Sequence, residues 1–167
     1  MINDETNNGD SFVSARMNLT FNYAAGEAGS RFLIALRDEK KIYGTRCPSC
    51  LRLLVPARSF CPRCFIDTTE WIEVGPAGTL VAFAFDQSLQ CHAGSGKGES
   101  DPGVRPCLGL IRFDGADTSL VHHIGEFDPD TLRVGMLVAP VFIEARSGSI
   151  LDIAYFKPLE ADNARSI

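Results

Sequence analysis

Apolar positions along this chain change their period once, and the change separates two kinds of structure. From Glu27 to Asp38 they recur at helical spacing, with Ala28, Phe32, Ala35 and Leu36 on one stripe and Leu33 and Ile34 broadening it. Gly26 precedes this predicted helix, Gly44 lies beyond it, and Ser30 is available as a cap for a later start. The stripe is wider than a small module can cover, so it packs either on the following domain or on a partner. Lys41–Thr45 and Leu53–Pro56 are short strand candidates. From Trp71 onward the period is two. Trp71–Val74 and Thr79–Phe85 read as one long strand bent at Gly75-Pro76-Ala77-Gly78, with Val81, Phe83 and Phe85 on one face and Ala82 and Ala84 on the other. Cys107–Phe113 and Leu120–Ile124 follow, with Asp114-Gly115-Ala116-Asp117 as the hairpin link between them. Asp128–Leu132 reads as one helical turn with Asp128 as cap and Pro129 in the first helical position. Met136–Glu144 and Ile150–Lys157 are the last strands. Met136–Ile143 is apolar on both faces, so its outer face is expected to be covered by the helix or by another protein.

Five strands with a helical turn between the third and fourth match an OB-fold barrel, against another small barrel or sandwich as the alternative. The fold class expected is α+β, mainly β: an N-terminal helix, a small ribbon, then a five-stranded OB-fold barrel. Residues 1–22 are polar and read as a mobile arm, with only a weak alternation of Leu19, Phe21 and Tyr23 at its end. Residues 23–66 form the helix and ribbon, 67–160 the barrel domain, and 161–167 a tail. The stretch Gln87–Pro106 has no apolar period and is read as a long loop.

Four cysteines add chemistry to the ribbon. Cys47-Pro48-Ser49-Cys50 and Cys61-Pro62-Arg63-Cys64 are matched Cys-x-x-Cys pairs, a spacing that brings four thiolates to the corners of one tetrahedron, as Zn²⁺ requires. Pro48 and Pro62 pre-set the two turns. Zinc-ribbon knuckles of this kind often carry Gly after the second Cys, whereas Leu51 and Phe65 stand here. A residue with a Cβ is less comfortable at positive φ, so an altered knuckle geometry with the metal retained is expected. Two disulfides would use the same residues, but Met1-Ile2-Asn3-Asp4-Glu5-Thr6 shows no secretory pattern, and a reducing cytoplasm favours metal. A redox pair needs one such motif in a βαβ setting. With four protein ligands the metal has no open position and serves structure.

Charge then sharpens the picture. The net charge of −5 speaks against general nucleic-acid or membrane-surface binding, and no apolar run approaches membrane-spanning length. Yet Lys40 to Cys64 contains Lys40, Lys41, Arg46, Arg52, Arg58 and Arg63 and no acid, while Phe65 to Ile167 holds fifteen acids against seven basic residues. The basic cluster suits a phosphate-bearing ligand or an acidic protein patch, unless it merely solvates the ribbon. Little else suggests chemistry. Cys91 and His92 are adjacent in the loop and do not face each other as nucleophile and base must. Cys107 reads as a buried strand residue, and His122 and His123 point to opposite faces of one strand.

Ser30-Arg31-Phe32 and Leu36-Arg37-Asp38 in the helix, Gly44-Thr45-Arg46 leading into the first knuckle, and Leu54-Val55-Pro56-Ala57-Arg58 leading towards the second complete a pattern. With Trp71, Gly78-Thr79-Leu80-Val81 and Val134-Gly135-Met136-Leu137-Val138, it resembles the acyl-CoA-associated family, a rubredoxin-like zinc ribbon joined to an OB-fold. The likeness spans roughly residues 23 to 157. It implies a non-catalytic accessory subunit that binds a thiolase-fold enzyme, a thiolase or an aldolase, as a hetero-oligomer whose partner supplies the acyl-transfer Cys and His. It further implies CoA or an acyl-CoA as ligand of the complex, with an aromatic ester such as benzoylsuccinyl-CoA or a steroid side chain as candidate substrates. For the CoA phosphates the residues to name are Arg46, Arg52 and Arg58. The rival reading is a nucleic-acid-binding zinc-ribbon/OB module; strands two and three then offer only Phe113 for stacking. A third is an independent acyl-CoA enzyme using Cys91 or His122.

Overall fold

The helical stripe forms α1 (Gly26–Glu39) in a computed structural model that describes residues 23–85 and 107–159. Residues 1–22, the Gln87–Pro106 stretch with Cys91 and His92, and the tail from 161 lie outside the described residues. No side chain caps the start of α1, and Ser30 lies inside it. The helix stops at Lys40, which turns left-handed at φ 57° and donates its amide to the Ala35 carbonyl; Gly44 has no part in ending it. Phe32, Ala35 and Leu36 are buried, so the stripe packs within the chain. Burial of side chains such as Phe32 and Leu36 is worth about 1.5–3 kcal/mol each.

A three-stranded antiparallel sheet follows, in the order β2 (Leu53–Leu54), β1 (Ile42–Arg46), β3 (Glu70–Val74). Gly44 sits where the neighbouring segment crosses closest. A Cβ there would lie 2.9 Å from the Leu53 side chain, the Leu54 carbonyl oxygen and the Val55 side chain. The third strand corrects an expectation. Glu70–Val74 is not the first half of a bent barrel strand. It pairs with β1 along its whole length, from Ile42 opposite Val74 to Arg46 opposite Glu70, and Gly75–Ala77 carries the chain from one sheet to the next.

The barrel is built from β4 (Gly78–Phe85), β5 (Cys107–Phe113), β6 (Leu120–Ile124), β7 (Leu137–Phe142) and β8 (Ile153–Pro158). It closes in the order β4-β5-β6-β8-β7, with β7 returning to β4. All pairs are antiparallel except β6 with β8. This closed five-stranded circuit is the OB-fold arrangement. Between β6 and β7 Asp128 caps a single turn: its carboxylate accepts from the Asp130 amide at 3.0 Å, and its carbonyl accepts from the Thr131 and Leu132 amides. Two details differ from the sequence reading. A bulge between Leu80 and Ala82 inserts Val81, so the inward set is Leu80 opposite Ile111, Phe83 opposite Gly109 and Phe85 opposite Cys107. Val81 is therefore not on the Phe83 and Phe85 face. The last strand begins three residues late, because Ile150–Asp152 is a 3₁₀ turn with a Ser149–Asp152 capping box.

One apolar core runs through all three parts. It contains Phe32 and Leu36 of α1, Ile42, Leu53, Val55 and Val74 of the ribbon, and Leu80, Ile111, Phe113 and Phe156 of the barrel. The hairpin after β5 does more than reverse the chain. Asp117 accepts from the Leu53 amide at 2.9 Å and returns its own amide to the Leu53 carbonyl; Thr118 accepts from the Val55 amide at 2.7 Å and donates to the Val55 carbonyl. The barrel loop thus satisfies the free edge of β2, which would otherwise leave backbone groups unpaired beside the core.

Candidate metal centre

Each Cys-x-x-Cys turn is closed by two backbone hydrogen bonds of the same kind. Leu51 donates to the Cys47 carbonyl at 3.0 Å and Phe65 to the Cys61 carbonyl at 2.8 Å. Cys47 and Cys61 donate to the carbonyls of Arg52 and Ile66, both at 2.9 Å. These bonds put Leu51 at φ 60° and Phe65 at φ 56°, the left-handed positions anticipated from the missing glycines. The two knuckles therefore keep matching closures despite the Cβ atoms. An L-residue held there costs about 1–2 kcal/mol.

The knuckles face each other, and the four Sγ atoms of Cys47, Cys50, Cys61 and Cys64 lie within 4.8 Å of one another. Cys50 and Cys61 are 3.8 Å apart. Sulfurs each about 2.3 Å from a tetrahedral zinc are about 3.8 Å from one another, so the donor set fits that ion. No disulfide joins the described cysteines. The electrostatics point the same way. The Cys50 amide, 3.5 Å from Cys47 Sγ, brings the Cys47 thiol down to about 7. At Cys50 the Arg52 amide also favours the thiolate, but burial and the neighbouring sulfurs outweigh it and push the thiol up to about 11. One thiolate forms readily and discourages the next; a dication in their midst removes that conflict. Cys47 and Cys61 are fully buried, and Cys50 and Cys64 partly so. Four protein sulfurs leave no position for substrate, so the centre serves the fold.

The ribbon around the cysteines is tightly tied. Thr45, fully buried, donates to the Arg58 carbonyl and accepts from the Arg58 amide, both at 2.9 Å; Thr68 donates to the same carbonyl. The three arginines singled out from the sequence differ in setting. Arg46 is engaged, donating from Nη1 to the Leu51 carbonyl at 3.0 Å and pairing through Nε with Glu70 at 3.5 Å. Arg52 and Arg58 are exposed, and their guanidinium groups have no hydrogen-bond or ion-pair partner among the described residues. Arg31, carried by the helix, lies 4.1 Å from the Trp71 ring centroid.

The barrel interior shows no prepared nucleophile among the described residues. Cys107 is buried, and burial pushes its thiol up to about 11. His122 is also buried on the inner face. Burial holds its pKa below the ordinary imidazole value, so the ring is neutral near pH 7, with Nε2 3.2 Å from the Ile150 carbonyl.

Sequence reasoning missed Asp152. This fully buried carboxylate accepts from the amides of Ser147 (2.9 Å), Gly148 (2.8 Å) and Ser149 (3.2 Å), and from the Ser147 hydroxyl. The signal was present as Ser149-x-x-Asp152, a capping-box spacing. Arg146, next to this loop, donates to the Arg37 carbonyl near the end of α1. The loop thereby joins the helix to the barrel.

Residues 35–70 match the ChsH2 rubredoxin-like zinc ribbon domain. No curated protein matches the chain. Among solved structures, a DUF35-family protein of unknown function from Sulfolobus solfataricus superposes with a TM-score of 0.55 at 22% identity, over 80% of this chain and 84% of that one. The Ltp2-ChsH2(DUF35) aldolase superposes with a TM-score of 0.53 at 19% identity, over 77% of this chain and 93% of that one. No helix among the described residues is long and apolar enough to cross a membrane. The chain thus carries a ChsH2-type rubredoxin-like zinc ribbon followed by a closed five-stranded barrel, and its fold is that of the DUF35/ChsH2 proteins.

Proposed function

We propose that this chain is the accessory subunit of a thiolase-fold enzyme and supports thiolysis, acyl transfer or aldol cleavage of an acyl-CoA without contributing the reacting residues. The observation that carries this reading is the combined ribbon and barrel, which is also the fold of the ChsH2 component in an Ltp2-ChsH2(DUF35) aldolase. Its support in the chain is chemical. The cysteine cluster has the donor set of a closed centre, Cys107 is held as a thiol, and the His122 ring is turned to a backbone carbonyl.

The outer face of β5 and β6 favours a protein neighbour over a nucleic acid. Leu108, Leu110 and Arg112 alternate outward on β5, with Val121 and His123 on β6; Leu110 stands directly opposite Val121, and Ala82 of β4 continues the row. Phe113, the ring available for stacking in these strands, is buried. An aliphatic face excludes water against a protein but gives bases nothing to stack on. The complex belongs to a reducing, cytoplasmic setting, where the four thiols stay available for metal. Within it Arg46, Arg52 and Arg58 meet the CoA phosphates, and an aromatic ester such as benzoylsuccinyl-CoA is the first substrate to try.

Affinity capture of the tagged chain from native cell extract, with nuclease treatment as control, tests the reading. A near-stoichiometric thiolase-fold protein is expected in the mass spectrum; nucleic-acid partners without one would overturn it. In the purified complex, Arg52→Ala with Arg58→Ala is expected to weaken CoA binding about tenfold or more while metal content holds, since each charge-assisted contact contributes roughly 1.5–3 kcal/mol. Unchanged CoA affinity would remove these arginines from the site.

A further inference from the structure

The two knuckles spend their strained positions on side chains that the described residues leave uncovered. Leu51 is 64% exposed and Phe65 81%. Each is the left-handed residue directly after a metal-site cysteine, where glycine would fit without strain. Phe60 and Ile66, flanking the second knuckle, are 51% and 38% exposed. All four lie within two residues of cysteines whose sulfurs crowd within 4.8 Å, so they crown one end of the ribbon. The tips bring neither backbone ease nor, among the described residues, burial. Their neighbour Arg63 is exposed and has no ion-pair partner among the described residues.

We infer that the knuckle tips are a docking surface for the catalytic subunit, which receives Leu51 and Phe65 in apolar pockets rimmed by carboxylates. The inference rests on the accessory-subunit reading and names the part of this chain that makes the contact. Charge complementarity selects this occupant. Apolar tips beside the uncompensated Arg63 suit an acidic protein surface, and two copies of this end would oppose like charges. The rigid knuckles present the rings with little entropy left to lose on binding.

The test uses a variant whose two effects have opposite signs. Leu51→Gly with Phe65→Gly relieves both left-handed positions, so the isolated, zinc-loaded chain is expected to melt about 2–6 °C higher. The same variant is expected to capture the thiolase-fold protein from native extract at least tenfold less well than the original chain. Equal capture by both chains overturns this inference and leaves the accessory reading standing. Failure of the original chain to capture any thiolase-fold protein overturns both. A lower melting temperature in the variant shows that the tips pack within their own chain. A dimer of the original chain that the variant abolishes makes the occupant a second copy. Either result overturns the assignment.

Discussion

Removing the metal is expected to unfold ribbon and barrel together. Zinc binding to small ribbon-like domains is worth about 10–16 kcal/mol at neutral pH, and among the described residues Leu54 alone joins the four cysteines in their own small cluster. In a modular chain the loss would stop there. Here the strands entering and leaving the knuckles belong to the common core, through Ile42, Leu53, Val55 and Val74, and β2 is clasped by Asp117 and Thr118 of the barrel. Cys61→Ser, or a strong chelator, should therefore lower the melting temperature by about 10 °C or more in a single transition, with metal content measured alongside. Two separate transitions, with the barrel melting as before, would show that the shared core does not couple the parts. Unchanged metal and unchanged melting would remove the centre from the account of stability.

Asp152→Ala should also be strongly destabilising, without touching the metal. The carboxylate is fully buried and is the acceptor for three amides and a hydroxyl; alanine leaves those donors unsatisfied, at about 3–5 kcal/mol in total. Burial by itself would raise its pKa, but the amides of Ser147, Gly148 and Ser149 outweigh burial and hold it below the ordinary 3.8. The pH dependence takes its sign from that. The folded state keeps the carboxylate ionised where the unfolded chain would protonate it, so the stabilisation is complete above about pH 4 and is lost as the pH falls through the depressed folded-state value. Urea unfolding at pH 7 and pH 3 should show a gap between wild type and Asp152→Asn that narrows in acid. A gap independent of pH would mean that shape, not charge, is what Asp152 supplies.

The centre was readable because its chemistry depends on identity and spacing. Two Cys-x-x-Cys pairs and the residue after each state both the ligand set and the backbone strain. The helix and the barrel strands were readable for a similar reason, since burial on one side imposes a period. What periodicity cannot state is which strand lies beside which. Glu70–Val74 alternates as well for a ribbon edge as for a barrel strand, and only the pairing with Ile42–Arg46 decides. A single extra residue at Val81 reverses the phase of the strand around it while leaving the letters unchanged. Asp152 looks like any surface carboxylate until Ser147, Gly148 and Ser149 fold over it. Arg46 illustrates the same limit: its charge is evident, but its commitment to Leu51 and Glu70 is a property of the folded knuckle.

The rung formed by Phe85 and Cys107 at the end of β4 and β5 bears on how freely such a chain can vary. Phe85 and Cys107 stand directly opposite each other, so the ends of whatever joins them are already held together by the pairing of β4 with β5. The entropy of tying such ends together grows only logarithmically, about 0.6 kcal/mol for each doubling in length. The segment between these two residues can therefore be lengthened, shortened or rewritten at little thermodynamic cost. Its composition is then open to selection by what the segment meets, whereas β4 and β5 stay bound to a register that one residue would upset.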